Sequence, residues 1–268
     1  KEEFVTGGPL PVSDAIIGQD GAMYFTIGGR RVQSGLYRVS YSGKESTAPS
    51  DKSDRSDASD KAVAVRRSLE AFHGKQDPKA VSTAWPHLSS DDRYIRAAAR
   101  TVLEHQSLDQ WQAKALSESN ATAQIEALLA FARRTGVCAT HREANHVVNT
   151  AARDAILAAL LKLDFAKLTQ EQKLGYVRLI EIVLHRFGNP DDATVAAIIA
   201  KLDPVYPADT FELNWLLTET LAYLQAPNIA RKGMALIAAA ESQEPQMEYA
   251  RSLRFLKAGW TKELRTQQ

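Results

Sequence analysis

The chain has 268 residues, 33 Lys and Arg against 32 Asp and Glu, a formal net charge of +1 and 44% hydrophobic residues. That balance excludes a wholly disordered chain and lacks the basic excess of a nucleic-acid binder. No apolar run is long enough to span a bilayer. The single cysteine, Cys138, excludes an internal disulfide, a four-cysteine zinc site and a Cys-x-x-Cys-His haem attachment.

Lysine stands at position 1 with no charged-then-apolar leader after it, so a processed product or a fragment is expected. Residues 1–43 carry strand and turn signals. Asp20-Gly21 marks a turn, and Met23, Phe25 and Ile27 share one face of the strand that follows. Gly28-Gly29 ends that strand, residues 30–34 form a loop, and Gly35 to Tyr41 is the partner strand. A lone hairpin is marginal in water, so this piece is expected to pack on something that covers Phe25, Ile27, Leu36 and Tyr41. Residues 44–61 lack large apolar side chains and are rich in Ser and Asp, which predicts a flexible linker.

From residue 62 to 268 the period changes to 3.6. Val65, Leu69 and Phe72 line a first helix stopped at Gly74. Asp77-Pro78 opens a second, which Pro86 ends or bends near Trp85. Ser90-Asp91-Asp92 caps a third, bearing Ile95, Ala98, Ala99, Val102 and Leu103 on one stripe. Helices follow over 108–116, 121–134 and 151–162. Thr169 and Gln172 form a capping box ahead of a helix closed by Gly188, and 192–202, 211–224, 229–240 and 245–257 complete the set. About ten helices of three to four turns with short connections predict antiparallel helical hairpins stacked side by side. No fixed repeat period emerges, and a closed irregular all-helical domain is the competing architecture.

Residues 11–15, Gly18 to Thr26, Gly28-Gly29-Arg30-Arg31 and Ser34 to Val39 resemble the closing part of a β-propeller of the quinoprotein glucose/sorbosone dehydrogenase type. Leu69 to Gly74, Trp85-Pro86-His87-Leu88, Asp92 to Arg100 and Gly259-Trp260-Thr261 resemble the HEAT-like middle region of large secreted planctomycete proteins described as membrane-bound dehydrogenases. The resemblance implies that residues 1–43 are a propeller-blade remnant and that residues 62–268 form a HEAT-like right-handed stack of antiparallel helical hairpins, an alpha-alpha superhelix. It also implies that the protein is periplasmic or secreted, and that the parent could be an oxidoreductase. The haem-binding Cys-x-x-Cys-His of that family's C-terminal domain is absent from this sequence, so no cofactor is expected in this segment.

Six residues are candidates for ligand or partner contacts. Asp14 could face a central cavity in a full propeller, against a turn or cap role. Arg30 and Arg31 on the hairpin loop could bind an anion or a partner, against a solvated loop. His141 and His146, with Cys138 three residues before His141, could offer metal ligands or a nucleophile and base. A tetrahedral metal site would need two more ligands, with His105 and His185 converging on it, and a nucleophile lacks an orienting acid. A buried cysteine with surface histidines is the favoured reading. Glu212, with Glu219 seven residues on and Trp215 between them, could do acid–base work only across a cleft; Trp215, Trp85 and Trp111 read as inter-helix packing. Arg96, Arg100, Arg153, Arg178, Arg231 and Arg254 are expected to pair across repeats with Asp92, Asp154 and Glu181, ordering neighbouring repeats, rather than to line one edge as a phosphate-binding groove. No catalytic or metal residue is assigned. The expected function is a non-catalytic scaffold or protein-interaction module that binds a protein partner or neighbouring domains. The alternatives are an inter-domain segment of a quinoprotein- or haem-linked sugar or alcohol dehydrogenase, and an enzyme built inside the helical array.

Overall fold

A computed structural model describes residues 6–8, 10–18, 20–29, 31–43 and 57–267, in two units that divide at Ala58 and Ser59. The first holds a three-stranded antiparallel sheet in the order β1 (Val12–Ile17), β2 (Met23–Gly29) and β3 (Val32–Val39). Strand β1 is an addition to the expected hairpin. Its apolar residues do not alternate cleanly, so period-2 pattern alone misses it, but it pairs with β2 from Val12 opposite Ile27 to Ile17 opposite Met23. The expected loop over 30–34 is shorter, because Gly29 pairs with Val32 and Arg31 takes a left-handed φ of 68° in the turn. Phe25 and Ile27 are buried, and Phe25 stacks on Tyr37 with centroids 5.1 Å apart, whereas Leu36 and Tyr41 are exposed. Asp20, in the turn before β2, accepts from the Tyr24 hydroxyl at 2.8 Å and from Arg38 Nη2 at 2.9 Å, tying the turn to both following strands.

The second unit is helical. Helix α1 (Asp57–Glu70) starts inside the expected linker, whose earlier residues 44–56 lie outside the described ones. Lack of apolar side chains argues against burial of a segment, not against helix, and a polar, acidic first turn suits a helix N-terminus. The chain then turns at Gly74, φ 77°, and α2 (Ala80–Ala84) starts later than the expected Asp77-Pro78 opening, because Asp77 accepts from Lys79 N at 2.8 Å in a turn instead of capping the helix. Pro86 tightens its end into a 3-10 turn over Trp85–Ser89. The buried Gln106, just past the end of the next helix, holds the segment that leads into α2, accepting from Asp77 N at 2.9 Å and donating to Lys75 O at 2.9 Å.

The remaining helices are α3 (Arg93–His105), α4 (Gln112–Ser117), α5 (Ala121–Thr135), α6 (Thr150–Lys162), α7 (Gln170–Phe187), α8 (Asp192–Leu202), α9 (Phe211–Tyr223), α10 (Ile229–Ala239), α11 (Gln243–Leu253) and α12 (Lys262–Gln267). The starts of α3 and of α5 to α9 follow from side-chain caps. Asp92 accepts from Tyr94 N, Asn120 from Ala123 N, Asn149 from Ala152 N, Asp191 from Thr194 N and Thr210 from Leu213 N. Thr169 and Gln172 make the reciprocal capping box of α7, and Gly188, at φ 82°, ends it. The short α12, with Leu264 packed against the core, extends the helical unit beyond the expected last helix.

Packing sorts the helices into two rows. Helices α3, α5, α7, α9 and α11 contact one another in succession, while α4, α6 and α8 form part of a second row and α10 and α12 another part. Sequential helices cross between the rows, as short connections require. One continuous apolar core runs between them from Leu69 to Leu256. It includes Leu103, Leu128, Ile156, Leu160 and Ile180, each essentially sealed from water and each contributing about 2 kcal/mol of transfer free energy. Trp111 meets Phe131 edge-on at 6.2 Å and Phe165 meets Tyr176 edge-on at 5.2 Å, fastening α5 and α7 to the opposite row. Among the described residues no helix is long and apolar enough to cross a membrane.

Candidate functional site

The odd-numbered row turns its polar side chains to one face, and two cavities open on it. The N-terminal part of the face is governed by Arg96, whose side chain is 8% exposed. Its Nη1 donates to the carbonyls of Ser90 at 2.6 Å and Asp91 at 3.1 Å, its Nη2 meets Glu171 on α7, and its Nε lies 3.6 Å from Glu126 on α5. One turn further along α3, Arg100 Nη1 donates to Glu126 Oε2 at 2.6 Å and Nε lies 3.5 Å from Glu104. Arg133 Nε closes the series at 2.7 Å from Glu104. Positive and negative groups thus alternate from Glu171 through Arg96, Glu126, Arg100 and Glu104 to Arg133. Each charge desolvated by packing has an opposite charge beside it, which is what partly buried ions require.

Beside this lattice lies a cavity of about 850 Å³, lined among others by Asp91, Thr122, Gln172, Glu212 and Trp215. Glu212 stands exposed in the first turn of α9. Next to it the Phe211 and Trp215 rings stack at 6.2 Å, Tyr249 approaches Phe211 edge-on at 6.0 Å, and the Arg251 guanidinium lies 6.0 Å from the Trp215 ring centre.

A second cavity of about 760 Å³ opens toward the C-terminal ends of α5, α7 and α9 and takes in Cys138, His141, Glu181, His185, Glu219 and Tyr223. Two arginines hold its loop in place. Arg142 Nε donates to Val137 O at 2.9 Å and its Nη2 to Arg186 O at 2.6 Å, while Arg186 Nη1 donates to Gly136 O at 2.6 Å. Gly136 itself packs so closely that a β-carbon there would meet the Phe187 ring at 2.6 Å. The loop is therefore seated on the end of α7.

That seat brings the half-buried Cys138 Sγ to 2.8 Å from Thr140 Oγ1 and 3.0 Å from His141 Nδ1. The hydroxyl of Thr140, the imidazole of His185 and that of His141 stabilise the thiolate and bring the thiol down to about 6. Glu181, 14% exposed, moves the other way. Burial, with Glu219 adding repulsion, pushes its carboxyl up to about 7, although Arg178 lies 2.7 Å away and the Thr220 hydroxyl donates to it at 3.0 Å.

Of the residues singled out in the sequence, His141 and Glu212 line the two cavities. His146 lies on the same loop as His141, where its N–H donates to Glu143 O at 3.0 Å, but it lines neither cavity. Asp14 is exposed on β1 and accepts from the adjacent Ala15 N at 2.8 Å. Arg31 is exposed in the β2–β3 turn, and Arg30 lies outside the described residues. His185 does converge on Cys138, whereas His105 lies beside His73, ring centres 6.0 Å apart. Trp85 and Trp111 are buried in the packing between helices, while Trp215 is only half-buried and lines a cavity.

Pairing across repeats forms with other acids than those expected: Arg96 and Arg100 on α3 reach Glu126 on α5, whereas Arg153 meets Asp154 at 2.8 Å and Arg178 meets Glu181 within their own helices. Asp92 spends its carboxylate on the cap of α3 instead, leaving Arg96 to Glu126 and Glu171. The periodicity of α5 and α7 could have signalled those two acids, since Glu126 and Glu171 stand on the polar stripe of their helices; which helix faces which was not legible.

Among the described residues no group of three or more His, Cys, Asp or Glu is arranged to hold a metal ion. The thiol, hydroxyl and imidazoles of the second cavity are disposed for proton exchange and soft nucleophilic chemistry. Compared with protein-family models, with curated proteins and with solved structures, the chain has no match in any of the three.

Proposed function

We propose that the helical unit is a HEAT-like, non-catalytic scaffold that docks an extended, cation-bearing segment of a partner protein across its odd-numbered helices. The observation that carries this reading is the 850 Å³ cavity, which gathers side chains from the 89–91 turn, α5, α7 and α9 rather than from a single loop. A surface shared by successive elements of one row suits a chain laid across them. The chemistry of the partner follows from charge. Among the described residues, the arginines at the cavity, Arg96 and Arg178, are engaged by Glu126, Glu171 and Glu181, while Asp91 and Glu212 on its rim have no ion-pair partner. The unpaired Glu212 carboxylate, next to Phe211 in the Phe211–Trp215 stack, with Asp91 elsewhere on the same cavity, favours Lys or Arg side chains with an aliphatic stem to lay on the rings.

The test is fluorescence polarisation with labelled short peptides of matched length, rich in Lys and Arg or in Asp and Glu. Basic peptides are expected to saturate the protein, and Glu212→Lys to weaken them about tenfold. Equal binding of acidic peptides, or binding untouched by Glu212→Lys, would refute the assignment.

A further inference from the structure

We propose that Cys138, paired with His141 and flanked by His185 in the second cavity, is a covalent modification site for small, uncharged soft electrophiles. Three features on two different elements meet there. The sulfur is half-buried yet opens into a cavity of about 760 Å³, so a small reagent can reach it. A ring nitrogen lies 3.0 Å from it, within proton-transfer reach, and His185 comes in from α7 rather than from the cysteine's own loop. Arg142 and Arg186 clamp the backbone on either side of Val137, so the thiol–imidazole geometry is held by bonds to the helix end. A cysteine serving only as core filler would be sealed among apolar groups, where its thiol would be inert.

The step balances without any oxidant. The Cys138 thiol proton passes to Nδ1 of His141. The sulfur lone pair forms a bond to the electrophilic carbon, the leaving group departs with the electron pair of the broken bond, and the imidazolium returns its proton to water. With iodoacetamide as the probe, a carbon–sulfur bond replaces a carbon–iodine bond and iodide leaves. This site is independent of the docking surface proposed above, whose failure would not touch it.

The experiment is the alkylation rate of the whole chain by iodoacetamide between pH 4.5 and 9.5, followed by intact mass. Because the chain has one cysteine, all the signal belongs to Cys138. The same protein in denaturant supplies an ordinary thiol as reference. The folded rate is expected to level off above a midpoint near 6. At pH 6.5 the folded chain should react about fivefold faster than the unfolded one. At pH 9.5 the order should invert, because a low-pKa thiolate is intrinsically the weaker nucleophile, with the folded chain about tenfold slower. His141→Ala and His185→Ala should each raise the midpoint by about one unit. A folded midpoint at that of the unfolded chain would overturn the proposal, and so would a midpoint that neither histidine variant moves. The wild-type profile decides the matter even if a variant fails to fold.

Discussion

The two ends of the odd-numbered helix face use the same residue types to opposite effect. Around α3 and α5 the charges are interleaved so that Arg96, Arg100 and Arg133 each stand against Glu126, Glu104 or Glu171. Around the C-terminal halves of α7 and α9, Glu181 is buried with Glu219 near it and one arginine to share, and a thiol is surrounded by imidazoles. Where the pairing is complete the ions lock helix to helix. Where it is incomplete, burial and the nearby Glu219 push the Glu181 carboxyl up to about 7, while the Thr140 hydroxyl and the imidazoles of His185 and His141 bring the Cys138 thiol down to about 6 against the opposing effect of burial. Packing is shared between the two regions; what separates them is how well charge is matched within the row.

The largest effect that would sharpen this contrast is Arg96→Ala, which strips two carboxylates and two backbone carbonyls of their donor. Urea unfolding should show a loss of about 3 kcal/mol, and a loss under 1 kcal/mol would mean the lattice is decorative.

Glu181→Gln probes the other end, with a distinct sign. The folded carboxyl titrates near 7, above its ordinary value of 4.5, so the folded state binds more protons than the unfolded state between those values. Stability attributable to this group is therefore full below about pH 4.5, falls as pH rises toward 7, and stays low above it. The Gln variant keeps an acceptor for Thr220 without the charge, so it should unfold about 2 kcal/mol less readily than wild type at pH 8. The gap should close at pH 4.5, and a pH-independent difference would break the comparison.

Thr169→Ala removes the cap of α7, the helix both regions share, and should cost about 1 kcal/mol by the same measurement, equally at pH 5 and pH 8. The smallest effect is expected for Glu171→Gln. This acid meets Arg96 but is 71% exposed, so water already screens the pair and the loss should stay below about 0.5 kcal/mol. A cost approaching that of Arg96→Ala would show that solvent does not reach the pair.

Much of the helical unit is legible residue by residue. Asp92, Asn120, Thr169 and Gly188 act within four residues of themselves, so the starts of α3, α5 and α7 and the end of α7 follow from local hydrogen bonding and from the backbone freedom of glycine. The stripe of Ile95, Ala98, Ala99, Val102 and Leu103 likewise says which face of α3 is buried. The sheet is less legible: β2 alternates, but β1 depends on a partner to become a strand, and only the register shows that Asp14 lies opposite Thr26. The site was half visible. Cys138 and His141 are neighbours in the chain, but His185 lies 47 positions from the cysteine and reaches it only because α7 ends under the loop that follows α5.

By itself, then, the amino-acid order determined where α3, α5 and α7 begin, where α7 stops and which stripe of α3 is apolar, because caps and 3.6-residue periodicity operate over a turn or two of chain. Tertiary structure alone decided that Arg96 would find Glu126 and Glu171 instead of Asp92, that Glu181 would be short of positive charge, and that Cys138 would meet a second imidazole. Those outcomes depend on which helices become neighbours and on how much water is left between them, and electrostatic strength is set by distance and solvent exposure that no local pattern encodes.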